Sequence, residues 1–143
     1  MTLRPDVLRE SLGVVIEREA QITPLFYQRL FSRYPQVVPL FGKRSTDKQA
    51  QMLQEAIVAV VDHIEDGAWL QQTLGGMGRQ HLDYGVEDHM YPWVKECLLE
   101  TLEELGGDDW QASWTDAWDA ALDAVAGLML AGAAEQRRAA QRG

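Results

Sequence analysis

The chain is poor in the residues that most often hold metals or staple small folds. Among 143 residues it has one cysteine and three histidines. Cys97 alone cannot close an internal disulfide, and it fits a reducing compartment, with the cytoplasm as the expected location. No Cys/His cluster has the spacing of a structural zinc site. His81 and His89 stand eight residues apart with a glycine between them. That is not the i, i+3 or i+4 spacing that offers two ligands from one helix face. No Glu-x-x-His motif is present, which argues against a di-iron carboxylate bundle. No glycine-rich phosphate loop occurs, and no serine sits in a nucleophile elbow.

Positive charge is also scarce. Thirteen Lys and Arg face 22 Asp and Glu, for a net charge of −9. A strongly acidic chain is a poor partner for the nucleic-acid backbone. No continuous apolar run approaches the roughly 20 residues of a membrane span, so no membrane partner is expected. The opening "MTLRPDVLRE" lacks the apolar core of a secretion signal.

What is present is a globular composition, 46% hydrophobic and 24% charged, in a chain of one-domain length. A chain of this size buries roughly 70% of its unfolded surface and needs no staples. Residues 1–143 are expected to form a single domain, monomeric or weakly dimeric, with 135–143 as a frayed tail that has lost its apolar period. No segment alternates with period 2, so the expected class is all-α. Val7, Leu8, Ser11, Leu12, Val15 and Ile16 mark a first helix. Thr23-Pro24 reads as a cap followed by a first-turn proline. "PQVVPLF" is a short, tight segment. Thr46 with Gln49 fits a capping box opening a helix to about Glu65. Further helices are expected from about Ala68 to Leu82, from an Asp88 cap to Leu105, and from Asp109 to about Ala134. Their unequal lengths and Pro/Gly junctions suggest crossed packing rather than a bundle of equal rods.

His81 lies near the end of its expected helix, just before Gly85. A histidine there is ordinarily explained by the helix macrodipole. If it binds a metal, it does so nearly alone, and haem is the cofactor for which one axial histidine suffices. The aromatics Phe26, Tyr27, Phe31, Tyr34, Phe41, Tyr91 and Trp93 suit a flat apolar cofactor or an ordinary core equally. Tyr27 is the more pointed case, because a buried tyrosine needs a partner for its hydroxyl. The acidic residues Glu100, Glu103, Glu104, Asp116, Asp119 and Asp123 read as solvated helix surface.

In order, the segments "FYQRLFSRYPQVVPLF", "DKQAQMLQEAI", "GRQHLDYGVEDHMYPWVKECLLETL" and "DAWDAALDAVAGLM" resemble the globin family over about residues 5 to 135. The likeness is greatest to single-domain bacterial globins, the globin half of flavohaemoglobins and neuroglobin-like globins. It implies a three-over-three helical sandwich of seven to eight helices holding one haem b. By resemblance His81 is the proximal iron ligand, while Tyr27, Gln49 and Leu53 stand over the opposite coordination position. Phe41, Met77, Tyr84, Val86, Tyr91 and Val94 would touch the haem. Gln51 is the alternative distal glutamine. Gln49 is preferred because it puts Leu53, not Glu55, over the iron.

Two features depart from the flavohaemoglobin pattern. Leu122 and Ala133 stand where that pattern has a tyrosine and a glutamate behind the proximal histidine. With no carboxylate there, His81 is expected to donate its second N–H to the carbonyl of Met77. The segment after Phe41 is also about two residues shorter. The resemblance implies binding of dioxygen and of other diatomic gases such as CO and NO. The alternative is nitric oxide dioxygenation, for which a separate reductase is expected. A remote alternative is a haem-free helical adaptor.

Overall fold

The computed structural model describes residues 3–19, 22–41 and 46–142; the side chains of 46 and 47 lie outside that description. Val7, Leu8, Ser11, Leu12 and Val15 recur at helical spacing, and α1 (Pro5–Arg18) buries all five. Pro5 occupies the first turn, where a missing N–H costs nothing. α2 (Thr23–Arg33) starts with Pro24 in its first turn, yet its N-cap is Ile22, not Thr23. Thr23 instead donates its hydroxyl 2.6 Å across to the carbonyl of Ala50. A 3₁₀ stretch over 35–41 follows, broken from longer helix by its two prolines.

α3 (Thr46–Asp62) ends a turn earlier than expected. The capping box assigned to Thr46 and the shortened segment after Phe41 lie outside the described residues. Asp66 caps α4 (Gly67–Asp83) by accepting from the Trp69 amide at 3.1 Å. α5 (Tyr91–Gly106) begins after a 3₁₀ turn over 88–90, so Asp88 opens that turn and does not cap α5. α6 (Ala112–Arg142) closes the chain.

The stretch expected as a frayed tail is helical here: α6 continues to Arg142, and within it Gln136 donates to Asp83 at 2.6 Å and Arg137 to Asp88 at 2.9 Å. These polar tethers replace the apolar contacts whose absence suggested fraying. Part of the acidic surface is likewise partnered. Arg29 pairs with Glu104, Arg33 with Glu96 and Glu100, and Lys95 with Asp119 and Asp123.

No strand occurs among the described residues, in keeping with the all-α expectation. α6 packs on α4, α5 and α1, while α2 packs on α5 and α3. Leu8, Leu12, Val15, Phe26, Leu30, Leu74, Leu98, Leu102, Trp114 and Trp118 fill the shared core. One window of α6 is long and apolar enough by composition to cross a membrane, with mean hydropathy 1.3. That helix buries Trp114, Ala117, Trp118, Ala121, Gly132 and Ala133 against its neighbours, and 28% of the apolar window is buried.

α4 and α6 touch backbone to backbone. A Cβ added at Gly78 would stand 1.8 Å from the Met129 carbonyl oxygen, and one at Gly132 would stand 2.1 Å from that of Gly75. Glycine in a helix interior costs about 1 kcal/mol relative to alanine, and here the close crossing requires it. That crossing fixes the height of α4, and therefore of His81, against the rest of the fold.

Candidate functional site

Two small assemblies make up the candidate site. The first joins α2, the 35–41 stretch and α3. Tyr27 is buried, with the rings of Phe26, Phe31 and Phe41 centred 5.1, 5.5 and 5.4 Å away. Thr23–Ala50, together with the Ile22 amide donating to Gln54 Oε1 at 3.1 Å, sets the register of α2 on α3. That register brings the Tyr27 hydroxyl to the Gln49 carbonyl at 3.5 Å, the outer limit of a hydrogen bond. Burial pushes the Tyr27 phenol up to about 12, so at neutral pH it is an uncharged donor. Gln49 is half-buried, and Leu53, one turn on, packs against the core. Gln51 is exposed and donates to Glu55 at 3.2 Å. Of the two glutamines, Gln49 is the one beside Tyr27.

The second assembly is the end of α4. His81 Nδ1 lies 2.7 Å from the Met77 carbonyl oxygen, the partner expected from the sequence. A carbonyl can only accept, so Nδ1 is the donor in this contact, and Nε2 is the ring nitrogen that could serve as a metal ligand. The helix then closes in a Schellman-type turn. The Val86 amide donates to the His81 carbonyl at 3.0 Å, the Gly85 amide to Leu82 at 3.0 Å, and Gly85 adopts φ +95°. Leu40 lies against Gly85, 3.4 Å from where a Cβ would be, so the stretch carrying Phe41 touches the corner that follows His81.

The other expected contacts fall around this corner. The Tyr84 ring is 6.5 Å from the His81 ring and 51% exposed, and Val94 is 38% exposed, an unusually open position for large apolar side chains. Val86 and Tyr91 are half-buried. Burial raises the Tyr91 phenol above its ordinary value; Asp88 adds to the rise and Arg137 opposes it. Leu122 packs on the core and Ala133 is buried, so neither offers His81 a hydrogen-bonding group.

The donor set bears on what the site can hold. Among the described residues no three His, Cys, Asp or Glu side chains gather to bind an ion. A lone imidazole whose Nδ1 is held by a backbone carbonyl fits a metal already carried by a planar macrocycle. The residues present therefore fit a haem. Sequence reasoning missed the Gly75, Gly78 and Gly132 contacts and the α6 tethers. A run of three glycines inside one helix was the available signal for the former.

The family model for Globin matches residues 25–129. A globin-like protein of Aquifex aeolicus is 32% identical over 79% of this chain and 82% of its own length. A flavohemoprotein of Bacillus cereus is 28% identical over 83% of this chain but 31% of its own length, so the chain spans about a third of that relative. Among solved structures, an engineered carbene transferase built on a candidate nitric oxide dioxygenase of Rhodothermus marinus superimposes with a TM-score of 0.85 at 27% identity, covering 98% of this chain and 99% of that one. A bacterial globin of Campylobacter jejuni shares the fold, with a TM-score of 0.78 at 21% identity over 94% and 96% of the two chains. With Tyr27, Gln49 and His81 in the places described above and the family match spanning α2 to α6, this chain belongs to the globin family and has its fold.

Proposed function

We propose that the chain binds one haem b through His81 and holds a diatomic gas, dioxygen first, between Tyr27 and Gln49. The observation that carries this reading is the 2.7 Å contact between His81 Nδ1 and the Met77 carbonyl, which leaves Nε2 available to an external partner. Phe41, Met77, Tyr84, Val86, Tyr91 and Val94 would border the macrocycle. When bound, haem supplies a ferrous iron that takes up a diatomic ligand and shifts negative charge onto it. The protein's part is to meet that charge. Tyr27 has an uncharged O–H whose present partner is at the limit of bonding distance, so it gives up little in turning to a ligand. Gln49 adds an amide N–H. Each hydrogen bond to a charged group contributes about 1.5–3 kcal/mol, one to two powers of ten in dissociation rate. Phe26, Phe31 and Phe41 keep water away from the donor pair and so strengthen it. The single cysteine suits work in a reducing compartment such as the cytoplasm.

The test is a spectrum series on the full chain reconstituted with haem, in ferric, ferrous, dioxygen and CO forms. Wild type is expected to show a histidine-ligated pigment, and His81→Ala to lose or alter it. An unchanged spectrum in His81→Ala would remove the basis of the reading, and absence of a Soret band in wild type would favour a haem-free adaptor.

The flavohemoprotein relatives and the Rhodothermus neighbour support a second reading, nitric oxide dioxygenation with electrons from a separate reductase. Rapid mixing of the dioxygen-loaded protein with nitric oxide should then yield nitrate stoichiometrically. Slow reaction or a different product would leave gas binding as the function.

A further inference from the structure

We propose that Gln136 and Arg137, at the far end of α6, are positioning residues that brace the corner following His81 and so set how that histidine presents Nε2. The inference rests on His81 being the iron ligand. Three consecutive residues of α6 reach three points around that histidine. Glu135 Oε2 lies 3.7 Å from Arg79 Nη1, Gln136 Nε2 donates to Asp83 Oδ1 at 2.6 Å, and Arg137 donates to Asp88 Oδ1 at 2.9 Å and Oδ2 at 3.5 Å. Arg79 and Asp83 are four residues apart and share a stripe of α4. His81, two residues from each, projects roughly 160° away around the helix. The tethers therefore hold the back of the turn whose front carries the imidazole.

The architecture makes this arm stiff. α6 crosses α4 at Gly75, Gly78, Met129 and Gly132 with no side chain between the backbones. Residues 135–137 follow that crossing along α6. Asp83 and Asp88 bracket the four-residue link 84–87, which contains Gly85 at φ +95° and the amide of Val86 that bonds the His81 carbonyl. A glycine corner is soft by nature, and tethers at both of its ends restrict it. The Arg137 fork fixes orientation as well as distance. Arg137 and Asp88 side chains are 41% and 60% exposed, so the pair adds little to global stability. Its consequence is local: it holds one corner still.

The experiment uses the full-length chain as wild type, as the Gln136→Ala/Arg137→Ala double variant and as the charge-exchanged pair Asp88→Arg/Arg137→Asp. Three quantities are read: the iron–histidine stretching band of the ferrous haem-loaded protein, amide hydrogen exchange over residues 84–88 with and without haem, and the rate of haem loss to an excess acceptor. In the double variant the band should shift or broaden, exchange at the corner should rise about threefold to tenfold, and haem loss should quicken by a similar factor. The charge-exchanged pair should recover most of each change. Wild-type exchange and band position in the double variant would overturn the proposal. So would faster exchange with an unmoved band, which would make the tethers merely structural. If wild type shows no His81-dependent band, the haem reading fails instead, while corner exchange in the haem-free chain still decides whether the brace exists.

Discussion

His81 Nδ1 and the Met77 carbonyl oxygen stand 2.7 Å apart, a bond between residues one helical turn apart that leaves the imidazole's other nitrogen outside this contact. A backbone acceptor is neutral, so it orients the ring without drawing the proton from it as a carboxylate would. If Nε2 holds the iron, His81→Gly should lose haem much faster than wild type. Free imidazole in millimolar concentration should restore retention by filling the space. Haem-transfer kinetics with and without imidazole check this, and retention unaffected by either change would count against His81.

Tyr27 is the donor placed to be tested by deletion of one atom. Tyr27→Phe keeps the ring among Phe26, Phe31 and Phe41 and removes the hydroxyl. Dioxygen release should quicken by about tenfold or more, and CO release should change less because CO gathers less negative charge. Flash photolysis and stopped-flow release measure both rates. Equal effects on the two gases would mean that the hydroxyl acts through packing instead.

The same residue predicts an alkaline limit for the haem-free chain. Burial raises the Tyr27 phenol to about 12, whereas an unfolded tyrosine ionises near 10. The folded state therefore holds its proton more tightly than the unfolded state. That contribution is complete below about pH 10 and is lost as pH climbs through about 12. Denaturant midpoints should fall across this interval in wild type and fall less in Tyr27→Phe. Coincident curves for the two proteins would contradict the burial argument.

Much of this architecture can be read along the chain wherever the cause is local. The five buried positions of α1 follow from their spacing, and the His81–Met77 bond follows from the rise of one helical turn. Tertiary causes were not legible. Thr23 has the chemistry of a cap, but the carbonyl of Ala50 lies within its reach and takes the hydroxyl. Asp88 likewise looks like a cap but is engaged by Arg137 from 49 residues away. The tail lost its apolar period, and only the neighbouring corner shows that its polar side chains have partners there. The choice of Gln49 over Gln51 rested on which residue would stand over the iron, and the structure adds that Gln51 faces solvent toward Glu55.

Two glycines give opposite predictions from the same substitution. Gly78→Ala drives a methyl into the Met129 carbonyl at 1.8 Å, so α4 and α6 must separate. The cost should be about 1–3 kcal/mol or more, with a melting temperature several degrees lower. Gly13→Ala meets nothing within 4 Å in the middle of α1 and should stabilise by about 0.5–1 kcal/mol. Thermal and denaturant unfolding of the two variants checks the pair. A neutral Gly78→Ala would mean that the helices do not cross this closely.

Ser11 provides a final test of how the first and last helices are joined. Its hydroxyl, fully buried, donates to the Val7 carbonyl at 2.7 Å and accepts from the Trp118 indole N–H at 2.7 Å. Ser11→Ala adds no bulk and changes helix propensity favourably, so a purely local view predicts a gain. The tertiary view predicts the reverse. Trp118 is 3% exposed, so its N–H would be left without a partner away from water, at a cost of about 1–3 kcal/mol. A double-mutant cycle with Trp118→Phe separates the two views. If the hydrogen bond carries the effect, Ser11→Ala should be nearly harmless once the indole N–H is gone; an undiminished loss in that background would assign the effect to packing around α1.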